Sequence, residues 1–451
     1  MPDQLFRRRK DLAPARAGRR VIFIAILLGV LTAGNAQETK SQVDSMLNTL
    51  NDTTTIPKGL NATQAPTILN KRWNKINTKW FTLNIGFCVL VDHNILKQDD
   101  VNIAQVGKVE AATEFRADRF ILSGNLLFFK NPWRYMISAN YNGLDAPQGK
   151  KTFDFVDWNL EIPFGRKGGW LTVGKQKEGV GLEYVSPGTQ GMYMERSTGS
   201  PMLVRQRNVG IRYSNSVLQQ HMTYTIGFFN NYWETGKSFS DNGSQITARV
   251  TGLPIYKSDR EMIHLGVAYR YTTATNGQLT YKAKPEANTA PSFINTGAFD
   301  ANRSNTIMLE SYAAKGPFSL LAEYMHTVVK SDALQNPNLG YWQIGGSWFI
   351  TGENRRYNKM TGNPGKLIPR KNFKLRKGSG WGAFELASRY THTSANDALL
   401  TGGRFNRFTT ALSWYPNAHF RYQINYGIGN LNRNDKTGNV NFWQFRVQFE
   451  L

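Results

Sequence analysis

The sequence predicts an all-β fold, a transmembrane antiparallel β-barrel of about 16 strands. Two observations lead there. Segments of about ten residues alternate apolar and polar side chains, the period of a strand whose faces meet different surroundings. The connections between them alternate short and long, as periplasmic turns and external loops do. A mean hydropathy of −0.45 with 12% aromatic residues fits this reading, because in a closed barrel only every second residue of a strand has to be apolar.

The elements follow in order. The stretch "RRRKDLAPARAGRR" precedes "VIFIAILLGVLTAGNA", a basic region, an apolar run and small residues, which is the pattern of an export signal cleaved after Ala36. Its apolar part, Val21 to Leu31, is too short for the roughly 20 residues that cross a bilayer as a helix. Residues 37–75 are polar and weakly periodic, a lead-in, and 76–451 are expected to form the barrel. "FTLNIGFCVLV" sets Phe81, Leu83, Ile85, Phe87, Val89 and Val91 against Thr82, Asn84, Gly86 and Cys88. "WRYMISANY", "VDWNLEI", "IHLGVAYRY" and "FRYQINYGI" repeat the pattern, and the closing "NFWQFRVQFEL" puts Trp443, Phe445, Val447, Phe449 and Leu451 opposite Gln444, Arg446, Gln448 and Glu450. "FFKNP", "PFGRKGG", "AKGP" and "YPNA" read as short turns, and 142–151, 178–205, 273–302 and 392–406 as long loops.

The net charge is +23, of which about +18 remains once the leader, with seven basic and two acidic residues, is removed. Such a surplus points to an anionic partner. Dispersed basic residues on an exported chain exclude a nucleic-acid partner. Cys88 is the single cysteine and the six histidines are scattered without ligand spacing, so no disulfide, metal site or cofactor is expected. "GVGLE" has no nucleotide-binding helix behind it, and no catalytic constellation stands out.

Parity places Arg134, Arg212, Arg249, Arg270, Arg389, Arg421 and Arg446 on the polar, lumenal faces, where a cation avoids the roughly 2–4 kcal/mol it would cost in mid-bilayer lipid. Asp157, Glu161, Glu310, Glu323 and Glu385 share those faces, and Glu385 lies four residues before Arg389 on one strand face, which leaves open an ion pair between them or an anion-contacting Arg389. In "FRADRF" the parity of Arg116 and Arg119 conflicts, and a bulge would bring both inside. Segment 351–380 carries nine basic residues and one acidic one, and is expected to pack beneath the barrel.

Several stretches resemble the phosphate-selective porins O and P. "LTVGKQKEGVGLEYVSPGTQGMYMERS" (171–197) resembles a Val-Gly-Gln-Phe-Lys strand with a Glu-Arg-Ser loop, matching at Gly174, Lys177, Glu183, Glu195, Arg196 and Ser197. "AKGPFSLLAEYM", "SWFITGENRRY", "GWGAFELASRY" and "TALSWYPNAHFRYQINY" continue the likeness in order, with departures at Lys175-Gln176, Ile350 and Ser413. The resemblance implies a homotrimeric porin of the outer membrane, seated in its lipid. Its pore walls are rich in arginine and lysine, and phosphate or other small anions diffuse through. It also implies that loop 178–205 narrows the barrel, with Lys175, Lys177 and Arg196 at the constriction. A barrel plugged by its loops, conducting nothing or carrying an enzyme site, is the alternative that the residues leave open.

Overall fold

In the computed structural model the described residues are 74–141, 153–165, 168–230, 242–374 and 380–451. The expected leader and nearly all of the lead-in lie outside them, as does loop 142–151. From residue 75 on, the chain closes into a barrel of 16 antiparallel strands. These are β1 Phe81–Gln98, β2 Ala112–Leu126, β3 Trp133–Tyr141, β4 Phe153–Pro163, β5 Trp170–Gln176, β6 Asn208–Val217, β7 Met222–Asn230 and β8 Ser244–Ser258. They continue as β9 Glu261–Thr273, β10 Arg303–Lys315, β11 Phe318–Lys330, β12 Asn338–Phe349, β13 Ala383–Asp397, β14 Leu400–Tyr415, β15 Phe420–Arg433 and β16 Lys436–Glu450.

Closure runs from Cys88↔Glu450 to Gln98↔Val440, which leaves no free strand edge along the seam. Below the end of β16, the short strand Lys75–Asn77 pairs with Thr82–Asn84 and continues the same edge. The alternation of the chain's last eleven residues is seen directly: Trp443 and Val447 are 41% and 46% exposed, while Gln444 and Arg446 are 1% and 3% exposed.

Three features depart from the sequence reading or refine it. The stretch 392–406 is not a long loop: β13 continues to Asp397 and β14 starts at Leu400, so Ala398 and Leu399 form a tight turn. The β1–β2 register passes from Leu90↔Ala117 to Val91↔Phe115. That leaves Arg116 as the extra residue of a bulge, with Arg116 and Arg119 both inside while Phe115 and Phe120 face out. Finally, the wall is uneven, since β5 and β6 have 7 and 10 residues while β8–β16 have 12–16.

Candidate functional site

Among the described residues, three connections occupy the lumen. External residues 177–207, between β5 and β6, turn inward at Gly179 and Gly181, whose φ values of +83° and +75° favour glycine. A short helix, α1 (Leu182–Val185), follows, and a second, α2 (Gly199–Leu203), precedes β6. The loop enters the barrel because its apolar residues face the tall wall. Leu182 packs with Met192, Met262 and Tyr312, and Val180, Tyr184 and Leu203 join Met308, Met325 and Tyr341. External residues 274–302, between β9 and β10, form a hairpin (Gln278–Ala283 with Ile294–Asp300) and bury Phe293 against Phe405, with ring centroids 5.2 Å apart. From the periplasmic side, the basic segment between β12 and β13 climbs into the lumen rather than lying beneath it. Arg355, Tyr357 and Leu367 are buried there.

The inward arginines of the tall wall hold these loops. Arg389 donates to Glu183 (2.9 Å), Glu286 (2.7 Å) and the Glu195 carbonyl (2.8 Å). Arg446 binds Asp92 at 2.7 and 2.6 Å, Glu195 at 2.7 Å, and the Met194 carbonyl. Arg270 binds Glu178 at 2.6 Å. Arg249 binds Glu310 at 2.5 Å and the Gly362 carbonyl at 2.7 Å. Arg421 donates to the Met192 carbonyl at 3.2 Å. Of the two readings of Glu385 and Arg389, the ion pair between them does not form, because Glu385 is taken by Arg355 at 2.6 Å and by Tyr415 at 2.8 Å. Each of these cations is desolvated yet surrounded by acceptors, the condition under which a buried charge is tolerated.

Along the low wall the arrangement differs. Three cavities lie one below another beside β2–β6. The outermost, about 240 Å³, is lined by Arg116, Arg196, Lys282 and Lys284 with Glu195 and Glu286. The middle one, about 120 Å³, shares Arg116, Glu195 and Arg196 with it and adds Arg119 and Arg207. The lowest, about 340 Å³, shares Arg119 and Arg207 with the middle one and adds Lys177, Arg212, Asp157 and Lys366. Several cations here bind neutral acceptors: Arg119 donates to Asn140 (2.9 Å), Arg196 to the Glu183 carbonyl (2.9 Å), and Lys177 to the Val185 and Ser186 carbonyls (3.0 and 2.9 Å). Arg116 shares Glu195 with Arg446, and Arg207 pairs with Asp157 at 2.7 Å. Burial alone would raise the Glu195 carboxyl, but Arg116 and Arg446 hold it down to about 2. Burial, with Arg207 and Arg196 close by, pushes the Lys177 ammonium well below the usual lysine range.

Of the sequence-predicted residues, Arg116, Arg119, Arg196, Lys177 and Arg212 therefore meet at these cavities, and Arg446 touches the middle one from the far side. Arg134 pairs with Glu161 at 2.6 Å and lies over the Trp170 ring. Lys175 is a correction. It stands opposite Trp158, which is 50% exposed on the outer face, so strand alternation turns it away from the constriction expected of it. Sequence reasoning missed Arg207, whose signal was the "VRQR" stretch just before β6, and Arg407, which directly follows the supposed loop 392–406 and is bonded to Gln444 at 2.6 Å.

The family profile of phosphate-selective porin O and P matches residues 93–451. An uncharacterized protein of Caulobacter vibrioides is 26% identical over 276 residues, 58% of this chain and 54% of that protein, so the match spans about half the relative's length. Among solved structures, an anion-selective porin from Comamonas acidovorans superposes with a TM-score of 0.51 at 11% identity over 82% of this chain and 100% of the other. The outer-membrane channel DcaP of Acinetobacter baumannii gives 0.51 at 11% over 83% and 99%. The trimer form of OmpT, an outer-membrane protein of Vibrio cholerae, gives 0.52 at 9% over 82% and 100%. At these identities the likeness is one of fold.

Proposed function

The chain belongs to the phosphate-selective porin O and P family, and from that premise we propose that this outer-membrane porin passes small anions, phosphate foremost, by passive diffusion along the three cavities of the low wall. The observation that carries the reading is the sharing of lining residues: Arg116 and Arg196 border the first two cavities, and Arg119 and Arg207 the last two. An anion moving inward would pass from one cationic pair to the next without leaving arginine. A guanidinium offers phosphate two parallel hydrogen bonds and keeps its charge. Bonds to neutral carbonyls and to Asn140 are weak enough for a passing anion to compete with, which is what conduction through a multi-site pore requires.

The protein acts as a channel rather than an enzyme on this reading, and Lys177 and Arg196 narrow the path where loop 177–207 crosses it. Residues 1–36 serve as the export signal, 37–75 as a polar lead-in and 76–451 as the conducting domain. A trimer is part of the proposal because of the low wall. The seven residues of β5, at about 3.3 Å each and a tilt near 45°, rise only about 16 Å against an apolar band of about 25 Å. Neighbouring copies would cover that shortfall, with Lys175 and Trp158 facing them. The filled tall-wall side of the lumen favours a second reading, a plugged barrel.

Reversal potentials in a chloride gradient across a planar bilayer, repeated while phosphate is titrated in, test both. Anion selectivity with current falling as phosphate enters supports the proposal. Cation selectivity overturns it, and stable insertion without current makes the plugged barrel the better reading.

A further inference from the structure

The basic segment between β12 and β13 does not stay inside the barrel. After Leu367, which is buried with Phe349, Ala383 and Tyr415, the chain crosses the periplasmic rim and continues on the outer face. Phe373 fixes that position. Its N–H donates to the Pro416 carbonyl at 2.7 Å, and its ring meets Trp414 edge-on at 5.2 Å. Trp414 belongs to the outward aromatic row, stacked on Phe384 at 6.0 Å and on Tyr422 at 5.4 Å, and its indole N–H donates to the Trp381 carbonyl at 2.8 Å. Trp381 itself is 73% exposed. Rows of aromatic residues of this kind mark the level where a barrel meets lipid headgroups.

At that level the segment presents Arg370, Lys371 and Lys374, all exposed. The sequence from 354 to 384 holds no acidic residue. Glu353 is buried, and accepts from the Arg370 backbone N–H at 3.3 Å. These cations flank Phe373, whose ring lies against the outward Trp414, so drawing anions through the pore does not account for them. Their position does: an aromatic anchor in the apolar edge, with cations one step outward, is complementary to a phospholipid whose chains lie on the barrel and whose phosphate sits at the rim.

We propose that Phe373, Trp381 and Trp414, with Arg370, Lys371 and Lys374, form a site on the periplasmic rim for an anionic phospholipid headgroup of the inner leaflet, such as phosphatidylglycerol. The site is independent of the lumenal cavities and of the ion they admit. A cation at an anionic lipid surface is worth about fivefold in affinity, so loss of all three lowers retention by a large factor.

The full-length protein, purified from a membrane holding equal phosphatidylglycerol and phosphatidylethanolamine, is extracted and its bound lipids counted by mass spectrometry. Enrichment of phosphatidylglycerol on the wild type, lost in the triple variant Arg370→Gln, Lys371→Gln, Lys374→Gln and kept when the lysines become arginine and Arg370 becomes lysine, supports the site. Unchanged single-channel conductance shows that the triple variant is folded. Where that variant does not fold, Phe373→Ser takes its place. Equal amounts of the two lipids on the wild type overturn the proposal, as does displacement of the lipid by excess inorganic phosphate, which would mean a site for the free ion.

Discussion

The two sides of this barrel use the same residue in opposite ways. On the tall side, Arg389, Arg446, Arg270 and Arg249 are buried, and each is bonded to at least one carboxylate. On the low side, Arg119 and Arg196 border cavities and bond to neutral oxygens. Strand parity assigns both groups to the lumen. What separates them is where the loops lie: the apolar faces of 177–207 and 274–302 are drawn to the tall wall and bring Glu178, Glu183, Glu195 and Glu286 within reach of its arginines. A lumenal arginine is thus a structural anchor or a surface for solutes according to which side the loop leaves open.

The largest expected effect comes from breaking the tall side. Arg389→Met leaves Glu183 without its cation and Glu286 with only Arg407, at 3.5 Å, a loss of about 3–5 kcal/mol for a buried pair. Loop 177–207 should then detach, lowering the thermal transition of the purified protein and raising single-channel conductance. Unchanged conductance and stability would show that the tall wall anchors nothing. The next effect belongs to the low side. Arg119→Gln removes a charged donor, worth about 1.5–3 kcal/mol to a bound anion, so the phosphate concentration that half-blocks chloride current should rise roughly tenfold or more, with the thermal transition unchanged. If the two variants behaved alike, the distinction between the walls would fall.

Much of this was legible in the sequence. The barrel, its strand number and the facing of the last strand follow from alternation, because parity is a local property that survives every uncertainty about loops. The bulge at Arg116 was visible as a conflict of parity within "FRADRF". Partners were not legible. Glu385 and Arg389 share one strand face, but about 13 Å of strand separates them, and Arg355, 30 residues away along the chain, reaches Glu385 from inside the lumen. Lys175 departs from the family pattern beside matching Gly174 and Lys177, and the strand register turns it outward. Contacts between a loop and a distant wall depend on how the loop packs in three dimensions, and no periodicity encodes that.

A smaller change sharpens the low side alone. Asp157 holds Arg207 through two bonds of 2.7 and 3.2 Å. Asp157→Asn keeps the shape while releasing the guanidinium to the middle and lowest cavities. Phosphate should then block more tightly, by about 1 kcal/mol or roughly fivefold, in the direction opposite to Arg119→Gln. Weaker block would mean that the carboxylate orients Arg207 rather than competing with the anion for it.

The smallest effect is one of pH. Burial and the neighbouring arginines depress the Lys177 ammonium, and burial also lowers that of Lys284 at the outer mouth. A lysine with a lowered pKa is charged only below that value, so as pH rises its charge disappears before that of ordinary lysines, and anion selectivity should begin to decline at a correspondingly lower pH. The arginines keep their charge throughout, so the decline is partial. Lys177→Met should remove this early step, leaving a flat profile until exposed lysines titrate. If the step survives in Lys177→Met and vanishes in Lys284→Gln, control lies at the mouth rather than at the narrowing. Arg119 and Arg207 would then act on an anion already admitted, and the contrast between the walls would be one of depth as well as of side.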